Sequence, residues 1–153
     1  LAGVTWVGLL YYFNFVQVPA MADALADEGG PGPAAIGKYI APKALLWFRM
    51  SAAVTWLTGA WALSLGYGFT NAFLLKPGAE MIGLGSWLGT IMLFNVWVLI
   101  WPNQKKILGM VEASAEEIAK AKFTAAMASR TNVVLSVPML LCMIGAGHGG
   151  YLF

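Results

Sequence analysis

The sequence predicts an all-α integral membrane protein, a bundle of four transmembrane helices made of two tandem two-helix repeats within one domain. The 153 residues are 59% apolar and only 10% charged, with a mean hydropathy of +0.72. A soluble domain usually carries about 25% charged residues. Because a chain of this length leaves much of its surface outside any core, lipid is the solvent that such a composition indicates. The second observation behind this fold class is an internal repeat.

Four apolar segments are long enough to cross a bilayer, which requires about 20 mostly apolar residues per helix. Upstream of the fourth segment, Ser114 and Glu117 have the spacing of a capping box. This pattern predicts a helix that begins in the preceding connection and projects beyond the membrane. The expected spans are residues 1–18, 44–65, 81–101 and 125–146.

The lysine residues between the spans predict the orientation of the chain. The connection between spans two and three carries only Lys76, whereas the other two connections carry most of the loop lysines. By the positive-inside rule, the two lysine-rich connections face the cytoplasm and both termini face the opposite side. These lysines are Lys38 and Lys43 in the first connection and Lys105, Lys106, Lys120 and Lys122 in the third.

A shift of 81 residues aligns the first half of the chain with the second. We therefore expect a duplication, with repeat 1 at about residues 1–66 and repeat 2 at about residues 81–147. Glycine residues in the aligned helices predict close helix packing, as small residues do in membranes. The aligned pairs include Trp6 with Trp87, Gly8 with Gly89, Asn14 with Asn95 and Arg49 with Arg130, and the packing glycines are Gly8, Gly59, Gly85 and Gly89.

Polar side chains inside the spans cluster near the cytoplasmic ends of the helices. No Asp or Glu lies within a predicted span, so the two arginines have no carboxylate at their own depth. Buried charges normally face a bundle interior or a cavity. Amides could hold the guanidinium groups, the arginines could extend to lipid headgroups, or the layer could bind an anion or a partner's acidic residue. The residues of this predicted layer are Asn14, Gln17, Arg49, Asn95, Arg130 and Asn132.

The sequence contains no catalytic pair and no cluster of metal ligands, so we expect no cofactor in this chain. Its one histidine, His148, lies in a glycine-rich tail and is the only imidazole that could bind a metal or a haem. Cys142 is a single cysteine, which excludes a disulfide framework. The net charge of +2 is too small and too scattered to predict nucleic-acid binding.

Several strings resemble the N-terminal transmembrane domain of the bacterial membrane-bound urate oxidase family, over almost the whole chain. Longer members of that family end in a cytochrome c domain with a Cys-x-x-Cys-His motif, which these 153 residues lack. The resemblance implies the membrane fold and a multi-pass location in the bacterial inner membrane, so the side that the positive-inside rule predicts for both termini is the periplasm. The strings are GLLYYFNFVQ at 8–17, WFR at 47–49, TWLTG at 55–59, NVW at 95–97, IWPNQKKI at 100–107, ASRTN at 128–132 and SVPML at 136–140.

Three functions fit these observations. The first is an accessory subunit without catalytic activity of its own, which docks through helix faces onto other membrane subunits and binds lipid. The alternative is a membrane component of a urate-oxidase-like redox system that binds an anion at Arg49 and Arg130 and passes electrons to a separate cytochrome. A small transporter with a cavity on the pseudo-twofold axis is the third.

Overall fold

The computed structural model describes residues 1–148, and within that range it contains helices and no β-strand. The predicted all-α fold class is therefore confirmed. Four helices are long, and each extends beyond the apolar span predicted from the sequence because it continues into polar residues. The helices are α1 (residues 2–26), α2 (residues 36–65), α3 (Phe69–Phe73), α4 (Glu80–Ile107) and α5 (Ala115–Gly147).

Three of the long helices contain one π-helical segment each, and each segment ends two residues before a proline. The segments are Phe13–Gln17 before Pro19, Ile36–Ile40 before Pro42, and Asn95–Ile100 before Pro102. A proline has no N–H to donate, and its ring collides with the carbonyl four residues earlier. In all three helices that carbonyl lies within the π segment, whose wider turn relieves the collision and keeps the helix continuous.

The four long helices form one bundle around a shared core. Helix α1 packs on α2, α4 packs on α5, and the two pairs join through α1 with α5 and α2 with α4. A twofold axis that exchanges α1 with α4 and α2 with α5 would turn the α1–α2 contact into the α4–α5 contact. It would likewise turn the α1–α5 contact into the α2–α4 contact. The duplication itself stays a prediction. The core contains Trp6, Leu10 and Phe13 of α1, Leu45, Phe48 and Ala52 of α2, Met92, Val96 and Ile100 of α4, and Ala128 and Met139 of α5.

The short helix α3 packs against the start of α4 through a glycine. A Cβ atom at Gly83 would collide with the backbone carbonyl oxygen of Ala72 in α3. Leu63, Ala72 and Ala79 form a small separate apolar cluster at this contact. The absence of a side chain at Gly83 therefore allows the connection between α2 and α4 to lie on the bundle.

Two helices, α4 and α5, are long and apolar enough to cross a membrane. Only 28% of the most apolar window of each is buried within the protein. The core helix of a soluble protein would be mostly buried, so the exposed apolar faces of these two helices are consistent with a membrane protein. Helices α1 and α2 are long but less apolar, because they carry Asn14, Gln17, Lys43 and Arg49 together with several hydroxyl and aromatic residues.

Helix α5 begins with the capping box predicted from the sequence. Ser114 Oγ accepts a hydrogen bond from the Glu117 N–H at 3.2 Å, and Glu117 Oε2 accepts one from the Ser114 N–H at 2.9 Å. The Glu117 carboxylate also lies 3.5 Å from Lys106 Nζ at the end of α4. The hydrogen bond from Ser114 and the charge of Lys106 lower the pKa of Glu117. These contacts fix the turn between α4 and α5.

Candidate functional site

A cavity of about 740 Å³ lies between the ends of the four long helices where α1 finishes and α2 begins. We call it the basic cavity because three cationic side chains line it and none of its lining residues is acidic. Apolar residues of all four helices form the rest of its wall. Its polar residues are Asn14 and Gln17 of α1, Lys38 of α2, Gln104 of α4, and Lys122, Ser129 and Arg130 of α5.

Gln17 closes the π segment of α1 and is the most buried polar side chain in the basic cavity, with an exposed fraction of 7%. Its amide oxygen Oε1 is buried and accepts no hydrogen bond from any described residue. A buried acceptor without a donor costs about 1–3 kcal/mol. The cavity therefore contains an acceptor that a bound molecule with an N–H or O–H group could satisfy.

Asn14 lies one turn before Gln17 and connects α1 to α5. Its Nδ2 donates to the Leu10 carbonyl at 2.8 Å and to Ser129 Oγ at 2.7 Å. The amide is thereby held at the wall of the cavity, beside the residue that precedes Arg130. Asn14, Gln17 and Arg130, three members of the predicted polar layer, line one cavity.

The other two amides of the predicted layer pair with each other instead. Asn95 Nδ2 donates to Asn132 Oδ1 at 2.8 Å, and Asn132 Nδ2 donates to the Met92 carbonyl at 3.0 Å. Asn132 is fully buried, with an exposed fraction of 0%. These bonds join α4 to α5, so the pair holds the bundle together and does not face the basic cavity.

Arg49 has a different environment from Arg130, although the repeat aligns them. Its guanidinium carbon lies 3.6 Å from the ring centroid of Trp101 in α4, a cation–π contact. Arg49 does not line the basic cavity, whereas Arg130 does. No hydrogen bond or ion pair reaches either guanidinium from residues 1–148. Of the two arginines, only Arg130 thus lines the basic cavity, and the anion site expected at both stays a prediction.

A second cavity, of about 390 Å³, lies at the opposite end of the bundle. We call it the apolar cavity because no charged residue lines it. Its walls come from the start of α1, the end of α2, the start of α4 and the end of α5. Trp6, Trp56, Tyr67, Phe73, Met139 and Met143 supply most of the large side chains.

The four glycines predicted to mediate close packing divide into two kinds. A Cβ atom at Gly85 would lie 3.1 Å from Cys142 Cβ and 3.2 Å from Met143 Cε, so α4 and α5 are close there. A Cβ atom at Gly8, Gly59 or Gly89 would meet no heavy atom within 4 Å. Those three positions do not mark close packing within this chain, because Gly8 faces outward and the other two border the apolar cavity.

His148 lies exposed just after the end of α5, where its Nδ1 is 2.9 Å from the Ile144 carbonyl oxygen. The part of the chain that the structure describes holds no group of three His, Cys, Asp or Glu side chains that could bind a metal ion.

Residues 67–153 match the family model described as the urate oxidase N-terminal domain. This match covers more than half of the chain. The chain belongs to the urate oxidase N-terminal family. The resemblance inferred from the sequence is thus confirmed. The matched part of the chain contains α4, α5 and Arg130. Neither a curated protein nor a solved structure shows significant similarity to the chain.

Several residues of the basic cavity were not among the predicted site residues. Lys38 and Lys122 were interpreted only as loop charges, and Ser129 and Gln104 were not singled out. A usable signal was present on α5, where Ser129, Asn132 and Ser136 recur at helical spacing. Ser136, fully buried, lies 3.2 Å from the hydroxyl of Tyr11, so this stripe makes contacts with α1 and α4.

Proposed function

We propose that this member of the urate oxidase N-terminal family is a four-span component of a urate-oxidase-like system in the bacterial inner membrane. In this proposal it binds an organic anion in the basic cavity. The observation that carries the proposal is the charge of that cavity: Lys38, Lys122 and Arg130 line it without any acidic residue. All three cationic residues are exposed, so they attract anions through their shared positive field, which salt screens.

Four spans are supported by helix length and by the surfaces of the helices. All four long helices exceed the roughly 30 Å thickness of a hydrocarbon layer at about 1.5 Å per residue. Large apolar side chains are exposed on all of them, among them Val4 of α1, Trp61 of α2, Ile91 of α4 and Val134 of α5. The lysines around the basic cavity support a position at the cytoplasmic side under the positive-inside rule.

The buried amide of Gln17 limits which anions fit the basic cavity. Its oxygen lacks a donor, so the ligand that fits must carry an N–H or O–H group as well as a negative charge. The urate anion has both features, since its ring nitrogens carry hydrogens. A simple halide or a fully deprotonated phosphate would leave the oxygen of Gln17 without a partner.

The oxidation of the bound anion is assigned to a separate redox partner. In this proposal electrons from urate pass to a separate cytochrome, since longer members of the family end in a cytochrome c domain. The chain would then be an accessory subunit: it would bind and orient the substrate, and the partner would accept the electrons. Exposed aromatic residues on the helices, such as Trp47 and Trp97, offer surface for such docking.

Equilibrium dialysis of the full chain in mild detergent with urate tests this proposal. We expect saturable binding that weakens as salt rises, because screening reduces the attraction of the cavity. Arg130→Gln should lower the affinity by about 30-fold, in the range for a lost hydrogen bond to a charged group. Arg49→Gln is the matched control and should bind urate as the wild type does.

Absence of saturable binding, or equal affinity in the Arg130→Gln variant, would overturn the proposal. In that case the second candidate, a non-catalytic subunit that only docks and binds lipid, would account for the exposed apolar faces. That candidate predicts stoichiometric companions when the chain is purified from native membranes in mild detergent. Migration as a lone small protein would contradict it.

A further inference from the structure

The apolar cavity contains one hydrogen-bond donor that has no partner in the protein. Trp6 lines this cavity with an exposed fraction of 3%, and its indole Nε1 is buried without an acceptor. Such a donor costs about 1–3 kcal/mol when nothing satisfies it. The orphaned N–H is therefore an observation independent of the cavity itself.

Every other side-chain donor that lines the cavity is satisfied within the protein. Trp56 Nε1 donates to Thr90 Oγ1 at 2.9 Å, and the Tyr67 hydroxyl donates to the Ala146 carbonyl at 2.9 Å. The hydroxyl groups of Thr55 and Ser86 donate to carbonyls one turn earlier in their own helices. Among the side-chain donors of the residues that line the cavity, the indole N–H of Trp6 is thus the one without a partner in residues 1–148.

The remaining wall limits the occupant to a neutral and mostly apolar molecule. No charged residue lines the cavity, so an ionised ligand would lie in an apolar space without a counter-charge. Aromatic and thioether groups of Trp56, Phe73 and Met143 suit the faces and edges of a flat ring. Its volume of about 390 Å³ falls in the range typical of small-molecule sites, about 300–1,000 Å³.

We infer that the apolar cavity binds a neutral ring that carries a carbonyl group, of the quinone class, with that carbonyl oxygen accepting the hydrogen bond of Trp6 Nε1. This inference goes beyond the proposed function, because it concerns a different cavity and a ligand of opposite polarity. A quinone carries hydrogen-bond acceptors and no hydrogen-bond donor. This matches the cavity wall, because every side-chain donor there except Trp6 Nε1 already has an acceptor within the protein.

Two glycines leave the space that such a ring requires. Gly59 of α2 and Gly89 of α4 border the cavity, and a Cβ atom at either would meet no heavy atom within 4 Å. A larger side chain at Gly89 would extend into the cavity without colliding with the backbone. This position therefore provides a variant that fills the site while the helix remains intact.

Thermal unfolding of the full chain, delipidated in mild detergent, tests the inference with two matched probes. One is a benzoquinone with a decyl chain, and the other is decylbenzene, which has a similar shape without the carbonyls. We expect the quinone to raise the unfolding midpoint in a saturable manner and decylbenzene not to do so. Trp6→Phe, which keeps the ring and removes the N–H, should raise the quinone concentration needed for half the effect by about 10-fold.

Two further variants separate loss of the site from loss of the fold. Trp97→Phe removes an exposed indole that lines neither cavity, so it should bind the quinone as the wild type does. Gly89→Leu should abolish the effect of the quinone. Equal stabilisation by decylbenzene, or an unchanged response in Trp6→Phe, would overturn the inference. Phospholipid retained in the cavity, with no effect of added quinone on the lipid-free protein, would do the same.

Discussion

The basic cavity and the apolar cavity are built from the same four helices at opposite ends, yet they favour ligands of opposite character. The basic cavity has three cationic residues, and its orphaned atom is an acceptor, Gln17 Oε1. The apolar cavity has no charged residue, and its orphaned atom is a donor, Trp6 Nε1. These two atoms are the buried side-chain polar atoms left without partners in residues 1–148.

A buried layer separates the two cavities and explains how one bundle keeps both. On α4 this layer contains Met92 and Asn95, and on α5 it contains Asn132 and Ser136, none of which lines either cavity. The hydrogen bonds of this layer stay within the protein. The comparison teaches that the polar groups of this layer are satisfied within the bundle, whereas the two unsatisfied atoms belong to residues that line the cavities where ligands are proposed.

The largest effect is expected when a negative charge is placed in the basic cavity. Gln17→Glu adds a carboxylate beside cations that favour its ionised form, so it should repel an anionic ligand. Like-charge contacts in a binding site cost several kcal/mol, which corresponds to at least about 100-fold in urate affinity. Equilibrium dialysis measures this loss, and Gln17→Met, which removes the amide without adding a charge, should lose only about 10-fold in affinity, as expected for one hydrogen bond. An unchanged urate affinity in Gln17→Glu would show that the anion does not bind in this cavity.

The next largest effect is expected on the stability of the fold, when a side chain is added at Gly83 near the apolar cavity. Gly83→Ala places a Cβ against the Ala72 carbonyl and should lower the free energy of unfolding by about 2 kcal/mol, as overpacking does. Gly89→Ala, in the same helix, is the matched control because its Cβ meets open space. Unfolding followed by circular dichroism distinguishes them. If both variants were equally stable, α3 would not pack on α4 as described.

The separating layer should contribute stability without contributing to binding. Asn132→Leu leaves the Asn95 amide without its side-chain partner and removes one of the two hydrogen bonds to the Met92 carbonyl, and we expect a loss of about 1.5 kcal/mol. The neighbouring Thr131 is exposed, so Thr131→Leu should cost nothing. Thermal unfolding gives the stability, and dialysis should find urate binding retained. Loss of urate binding in folded Asn132→Leu would place this layer inside the site.

The smallest effect is expected outside both cavities, at the start of α5. Ser114→Ala removes the N-cap and should cost about 1 kcal/mol, measured by thermal unfolding. The lowered pKa of Glu117 sets the pH dependence of this turn. Its contribution is present above the ordinary Glu pKa and is lost as pH falls through the lowered value in the folded protein. A turn equally stable on both sides of that range would contradict the capping box.

The sequence was sufficient for those features that depend on local spacing. The capping box at Ser114 predicted the first residue of α5, and helical periodicity with apolar length predicted the long helices. Polar residues in the spans also indicated Asn14, Gln17 and Arg130 correctly as neighbours. These predictions succeed because capping and helix formation are decided by residues within a few positions of one another.

The remaining features depend on how the helices are rotated against one another. Arg49 and Arg130 align in sequence, but only the packing of α2 on α4 brings Arg49 to Trp101. A glycine in a span can mark contact, as Gly85 does, or open space, as Gly89 does, and spacing does not distinguish the two. The orphaned atoms of Trp6 and Gln17 are defined by missing partners, which only the assembled bundle reveals.

The most direct test of the two-cavity account is a crossed binding measurement. Wild type, Arg130→Gln and Trp6→Phe would each be titrated with urate and, separately, with the decyl benzoquinone. The account predicts that Arg130→Gln weakens urate alone and Trp6→Phe weakens the quinone alone, and that either ligand binds in the presence of the other. Competition between the ligands, or a variant that weakens both in a folded protein, would contradict it.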